Sequence, residues 1–184
     1  MKKVIALLLS LFLMPLSNGL AQEAGLTNMI VTNTRDDLLL FVDVEGAFTE
    51  EIRAAILSGV PTSFSFLVTL HQVRSMWFDR EIADIRVVHT IRYNNLKKEF
   101  TLTRSWDGGG ERVTDSFAKA QAIMAEIKGL NVAMLKELRK GERYRLAAKA
   151  ELSKIRLPLY LHYIIFFVSF WDFTTDWYAI DFIY

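Results

Sequence analysis

Apolar and polar residues alternate with a period of two through most of the chain, and that period puts successive side chains on opposite faces of an extended strand. Phe64, Phe66, Val68 and Leu70 share one parity while Ser63, Ser65, Thr69 and His71 share the other, which predicts a strand with one buried face. Ile85, Val87, His89, Ile91 and Tyr93 repeat the pattern against Arg86, Thr90, Arg92 and Asn94. Asn94-Asn95 tolerates left-handed backbone angles and is expected to turn that strand back into residues 100–104 as a hairpin. Tyr144, Leu146, Ala148, Ala150 and Leu152, backed by Arg143, Arg145, Lys149 and Glu151, predict a further one-sided strand. Residues 38–44 form a short apolar strand whose simplest partner is 29–34, across Arg35-Asp36-Asp37. One-sided strands belong to antiparallel sheets, because parallel strands are covered on both faces and read as unbroken apolar runs.

Two segments change period. In the first, Thr49 caps a helix, Glu50 and Glu51 favour its positive end, Ile52, Ala55 and Ile56 line one face, and Gly59 ends it ahead of Pro61. In the second, Thr114 or Asp115 is the expected cap, Phe117, Ala120, Met124 and Ile127 the buried side, and Gly129 the stop. Each helix has one apolar stripe, which suits packing on a sheet. After Pro158 the period is lost. Residues 159–171 are apolar on every side and fit a buried helix or a buried strand equally. The expected fold is α+β: a mainly antiparallel, curved or sandwiched β-sheet with two or three packed helices. Tyr178, Ile180, Phe182 and Tyr184 alternate up to an aromatic terminus, as the last strand of an outer-membrane barrel does. Two good helices and about six strands argue against a barrel.

Composition adds an address. Lys2-Lys3, an apolar run over residues 4–16 interrupted by Ser10, and Gly19-Leu20-Ala21 have the three parts of a secretory signal peptide over residues 1–21. The run falls short of the roughly 20 residues that a helix needs to span a bilayer. Cleavage would leave 22–184 as a single domain and remove two lysines and no acids, so the formal charge of +1 becomes −1. That balance calls for neither nucleic acid nor another polyanion as partner. With no cysteine in the chain there is no disulfide framework, no thiolate metal site and no lipid-acceptor thiol. The charge is uneven: residues 139–156 hold seven basic and two acidic side chains, whereas 157–184 hold three Asp, no Lys or Arg, and 11 of the 23 aromatics. Such a segment is expected to be buried or to meet an apolar partner.

Gly59-Val60-Pro61-Thr62-Ser63-Phe64, Trp77-Phe78-Asp79, Leu157-Pro158 and Trp171-Asp172-Phe173-Thr174-Thr175-Asp176-Trp177-Tyr178 together resemble a bacterial family of exported proteins, the domain-of-unknown-function family numbered 4390. The resemblance runs from about Leu26 to the C-terminus. It implies export and a single domain, and brings no catalytic residue with it.

The chemistry-bearing residues are sparse. His89 falls on the apolar side of its strand, where a buried imidazole needs a partner; His71 is on a polar face and His162 lies in the apolar C-terminal run, so no metal-ligand set emerges. No Gly-x-Ser-x-Gly elbow occurs. Trp106-Asp107-Gly108-Gly109-Gly110 precedes the second helix but no Gly-Lys-Ser/Thr follows, which reads as a connection rather than a phosphate cradle, and no nucleotide is expected. Acids, hydroxyls and indoles converge only at Asp172, Thr174, Thr175 and Asp176 between Trp171 and Trp177, as a structural turn or a binding site. Neither catalytic residues nor cofactors nor metals are expected. The leading expectation is an exported, periplasmic, non-enzymatic binding or accessory protein. It would meet an envelope protein or membrane surface through Phe166, Phe167, Phe170, Trp171, Asp172, Thr175, Asp176 and Trp177. The alternatives are a carrier of an apolar ligand and a lipid-handling hydrolase using Asp172, Asp176 or His89.

Overall fold

Residues 62–72 have the strongest alternation in the chain and form its central strand. A computed structural model describes residues 24–153 and 173–184, and in it β3 (Thr62–Gln72) buries Phe64, Phe66, Val68 and Leu70 almost completely. On one side β3 pairs antiparallel with β4 (Arg80–Asn94), on the other with β8 (Arg143–Ser153). β4 continues into β5 (Glu99–Arg104) and β5 into the short β6 (Arg112–Thr114); β8 pairs outward with β9 (Tyr178–Ile183). The order of this six-stranded sheet is β6-β5-β4-β3-β8-β9. A second antiparallel sheet has the order β1-β2-β7, from Gly25–Asn33, Asp37–Glu45 and Glu126–Met134. Neither sheet closes on itself.

The register carries the predicted parity into the core. Phe64 is opposite His89 and Leu152, Phe66 opposite Val87 and Ala150, Leu70 opposite Leu146. These side chains join Leu38, Leu40, Val42 and Val44 of β2 and Ile127, Leu130 and Val132 of β7 in one apolar cluster. The protein is thus an α+β fold with two antiparallel sheets and two helices among the described residues. No helix among them is long and apolar enough to cross a membrane.

Helix α1 (Glu50–Leu57) forms as its sequence predicts. Thr49 Oγ1 accepts from the Ile52 amide at 3.4 Å, and Ile52, Ala55 and Ile56 are buried. Past its end, the Gly59 amide donates to the Ile56 carbonyl and the Val60 amide to that of Ala55, the paired bonds of a Schellman cap. That cap needs Gly59 at φ +89°, and a Cβ there would meet Asn95 Nδ2 at 3.2 Å.

Helix α2 differs from expectation at both ends. Its cap is Ser116, whose Oγ accepts from the Lys119 amide, while Thr114 Oγ1 accepts from the Ser116 amide. It spans Phe117–Ala125 and passes straight into β7, so Ile127 and Gly129 are strand residues, not helix side and helix stop. β-Bulges mask the strand in the sequence. Leu130 and Lys128 pair with consecutive residues of β2, leaving Gly129 as the extra residue at φ +82°. Its bulge spaces the buried Ile127 and Leu130 three apart, which reads as helical.

Candidate functional site

Five of the residues expected at a contact surface, Phe166, Phe167, Phe170, Trp171 and Asp172, lie outside the described residues, as does His162. The chain leaves the described region at Ser153, paired with Ser63 where β3 begins, and re-enters at Phe173. Re-entry is fixed by backbone bonds: the Leu152 amide donates to the Phe173 carbonyl at 3.0 Å and the Thr175 amide to the Ala150 carbonyl at 2.9 Å. The Phe173 ring meets Phe64 edge-on at 5.1 Å, and Phe64 meets Phe48 at 5.0 Å, so the return is built into the core.

Thr175 is buried, and its hydroxyl is fully committed: Oγ1 accepts from the Ala150 amide at 3.0 Å and donates to the Asp176 carbonyl at 3.0 Å. Asp176 is exposed, as are Trp177 at 51% and Tyr178 at 48%. Lys149 of β8 reaches over the Trp177 ring, 6.0 Å from its centroid. Structural turn and exposed surface, which sequence alone left as alternatives, are both present here: Thr175 makes the turn and Trp177-Tyr178 the surface.

His89 is enclosed on all sides. Its Nδ1 lies 3.0 Å from the Met124 carbonyl and its Nε2 accepts from the Trp106 indole N–H at 2.8 Å. A carbonyl only accepts and an indole N–H only donates, so the ring is the neutral Nδ1–H tautomer. Burial pushes its pKa from 6.5 down to about 4; Arg104 acts in the same direction, and the Met124 carbonyl, Asp107 and Glu126 oppose it. Beside it the buried Arg104 donates to the Ile123 carbonyl at 2.7 Å and to Glu126 at 3.2 Å, with Lys128 2.6 Å from the same carboxylate. Burial works to raise the Glu126 pKa, but the bonds from Lys128 and Arg104 outweigh it and hold the carboxyl below its ordinary value. With both ring nitrogens bonded, His89 has no lone pair or proton to offer a substrate. The cluster joins α2, β4, β5 and β7.

The glycines at 108–110 do not lead into the α2 N-terminus, because β6 intervenes. Arg112 instead closes the loop on Asp107 at 2.7 Å, and Trp106 is drawn inward by His89. Among the described residues no three of His, Asp and Glu converge as a metal ion would require.

Two surface features escaped the sequence reading. One is an open cleft of about 590 Å³ where Met134, Leu135, Leu138 and Tyr184 stand among the charged Arg35, Asp36, Asp37, Lys136 and Lys140. The other is the β3–β4 connection, where Met76, Trp77 and Phe78 are 94%, 77% and 90% exposed. Three consecutive large apolar residues in a turn between two alternating strands break the usual polarity of turns, and that was the available signal.

A family model described as "Domain of unknown function (DUF4390)" matches residues 21–181. No curated protein and no solved structure matches the chain.

Proposed function

The chain belongs to the DUF4390 family, and we propose that it works as an exported, non-enzymatic accessory protein that binds a membrane-associated protein of the cell envelope. Residues 1–21 act as the signal peptide that delivers it to the periplasm. Binding uses the aromatic-rich C-terminal segment from Phe166 through Trp177. The observation that carries this reading is the paired exposure of Trp177 and Tyr178 on a segment whose neighbours Phe173 and Thr175 are locked into the core. Rigid aromatics presented from a fixed backbone lose little conformational entropy on binding, and Trp and Tyr are the residues most often found to anchor interfaces.

A photo-crosslinking amino acid in place of Trp177, activated in living cells, tests the proposal. A discrete protein adduct is expected, and it should disappear when Phe166, Phe167 and Phe170 are changed to Ser in a chain of unchanged thermal stability. Recovery of no protein adduct at all would remove the proposal.

A further inference from the structure

We propose that the β3–β4 tip, residues 73–79, seats in the interfacial layer of an anionic phospholipid bilayer, with Met76, Trp77 and Phe78 as the inserted side chains. This goes beyond the accessory role above, since it concerns different residues and a different partner. The tip is held out from the sheet. Gln72 pairs with Arg80 at its base, the Val73 amide donates to the Arg143 carbonyl at 2.8 Å, and the Arg74 amide donates to Asp79 Oδ1 at 3.1 Å. Inside this closed base stand the three most exposed large apolar side chains but one of the described residues, Leu96 being the other. A water-facing loop gains nothing from them, and each offers a large apolar area to a medium that will take it.

Shape and charge choose the bilayer. The surface is convex and three residues wide, so a protein partner would need a matching groove, whereas the bilayer interface deforms around a wedge. Trp is the residue whose amphipathic ring settles at headgroup depth. Arg74 and Arg80 flank the apolar trio, and Arg143 is exposed on the adjoining strand. Asp181 is held by both Arg145 nitrogens at 2.7 and 2.8 Å and Asp79 accepts from the Arg74 amide, while the side chains of Arg74, Arg80 and Arg143 form no ion pair among the described residues. The arginines are thus left to meet phosphate headgroups as the rings enter the layer beneath.

The test is co-sedimentation of the purified chain after signal-peptide removal, residues 22–184, with vesicles of phosphatidylglycerol in phosphatidylcholine and with vesicles of phosphatidylcholine alone. The expected result is binding to the anionic vesicles that weakens with added salt. Met76→Ser/Trp77→Ser/Phe78→Ser should bind at least about tenfold more weakly, since burying even one such side chain is worth on the order of a factor of ten. Arg74→Glu/Arg80→Glu should lose the preference for anionic lipid. A second measurement does not depend on a triple variant folding: bromine-labelled lipid should quench the fluorescence of the wild type, and Trp77→Phe should abolish most of that quenching while binding persists. No binding of the wild type to either vesicle overturns the proposal, as does quenching unchanged by Trp77→Phe. A photo-crosslinker at Trp77 that captures protein and never lipid in cells also overturns it, and would assign the tip to a protein partner.

Discussion

Lowering the pH from 7 to 5 is expected to remove about 2 kcal/mol of folding stability through His89 alone. Its ring is buried and already saturated, with Nδ1–H on the Met124 carbonyl and Nε2 receiving the Trp106 N–H. A second proton on Nε2 must therefore break the Trp106 bond and place a charge beside Arg104. Burial is the largest cause that takes the pKa from 6.5 to about 4. Because the folded value lies below the unfolded one, the unfolded chain binds the proton first. The stabilisation is complete above about pH 6.5 and drains away as the pH falls from there towards about 4. A separation of about 2.5 pH units corresponds to roughly 3 kcal/mol at its limit, and about 2 kcal/mol of that is gone by pH 5.

Urea unfolding at pH 7, 6 and 5 gives the required free energies for the wild type and for His89→Asn, which keeps an amide donor for Met124 and cannot titrate. The variant will be less stable at pH 7, but the reading is the difference in slope. Every other titratable group is common to both chains, so its contribution cancels in the difference. The wild type should lose about 2 kcal/mol more than the variant across this range. Equal losses in the two proteins would refute the account of His89 as a neutral, locked imidazole.

Trp106→Phe removes the only donor to His89 Nε2 among the described residues and should cost about 1–3 kcal/mol by leaving a buried acceptor unmet, measured by the same urea titration at pH 7. Thr175→Val strands the Ala150 amide and should cost about 1–3 kcal/mol, whereas Thr175→Ser should recover most of it. Gly129→Ala must hold an L-residue at φ +82°; the Phe41 ring lies at an ordinary 3.6 Å from the new Cβ, so backbone strain alone should cost about 1–2 kcal/mol in thermal or urea unfolding.

How much of this was legible from the sequence follows from where the period of two survives. β3, β4 and β8 are unbroken over their buried stretches, so Phe64, His89 and Leu152 were placed on one face correctly, and the hairpin of β1 and β2 was paired correctly. β7 was missed because bulges at Gly129 and near Val132 shift the parity of its buried residues, and because it follows α2 with no turn between. The β4–β5 turn was located at the right asparagines for the wrong reason. Lys98, not Asn94 or Asn95, takes the left-handed conformation at φ +56°, and Asn94 acts through its side chain, which accepts from the amides of Leu96 and Lys97. Within the candidate site, Thr175 and Trp177 lie two residues apart in sequence yet have opposite fates. What separates them is the pairing of residue 175 with Ala150, a long-range fact that local spacing does not contain. The partners of His89 were equally invisible, since Met124 and Trp106 are 35 and 17 residues away.

The two proposed contacts also constrain each other through the length of β3. From Gln72, at the base of the tip, to Ser63, beside the point where the chain leaves towards residue 154, nine residues rise at about 3.3 Å each, or roughly 30 Å. With the tip in the headgroup layer and the strands near the membrane normal, the Ser153–Phe173 end stands that far from the lipid, and Trp177, beside Lys149 opposite Leu67, stands five residues or roughly 17 Å from the base of the tip and would meet protein. With the sheet lying flat, the outer face would reach the lipid instead, and Lys149 would carry Trp177 into contact with it. Photo-crosslinks from the two tryptophans separate these geometries. Lipid from position 77 together with protein from position 177 describes an upright molecule that ties the membrane to its partner. Lipid from both positions describes a flat one, and then the C-terminal segment is a second membrane contact rather than a docking surface for protein.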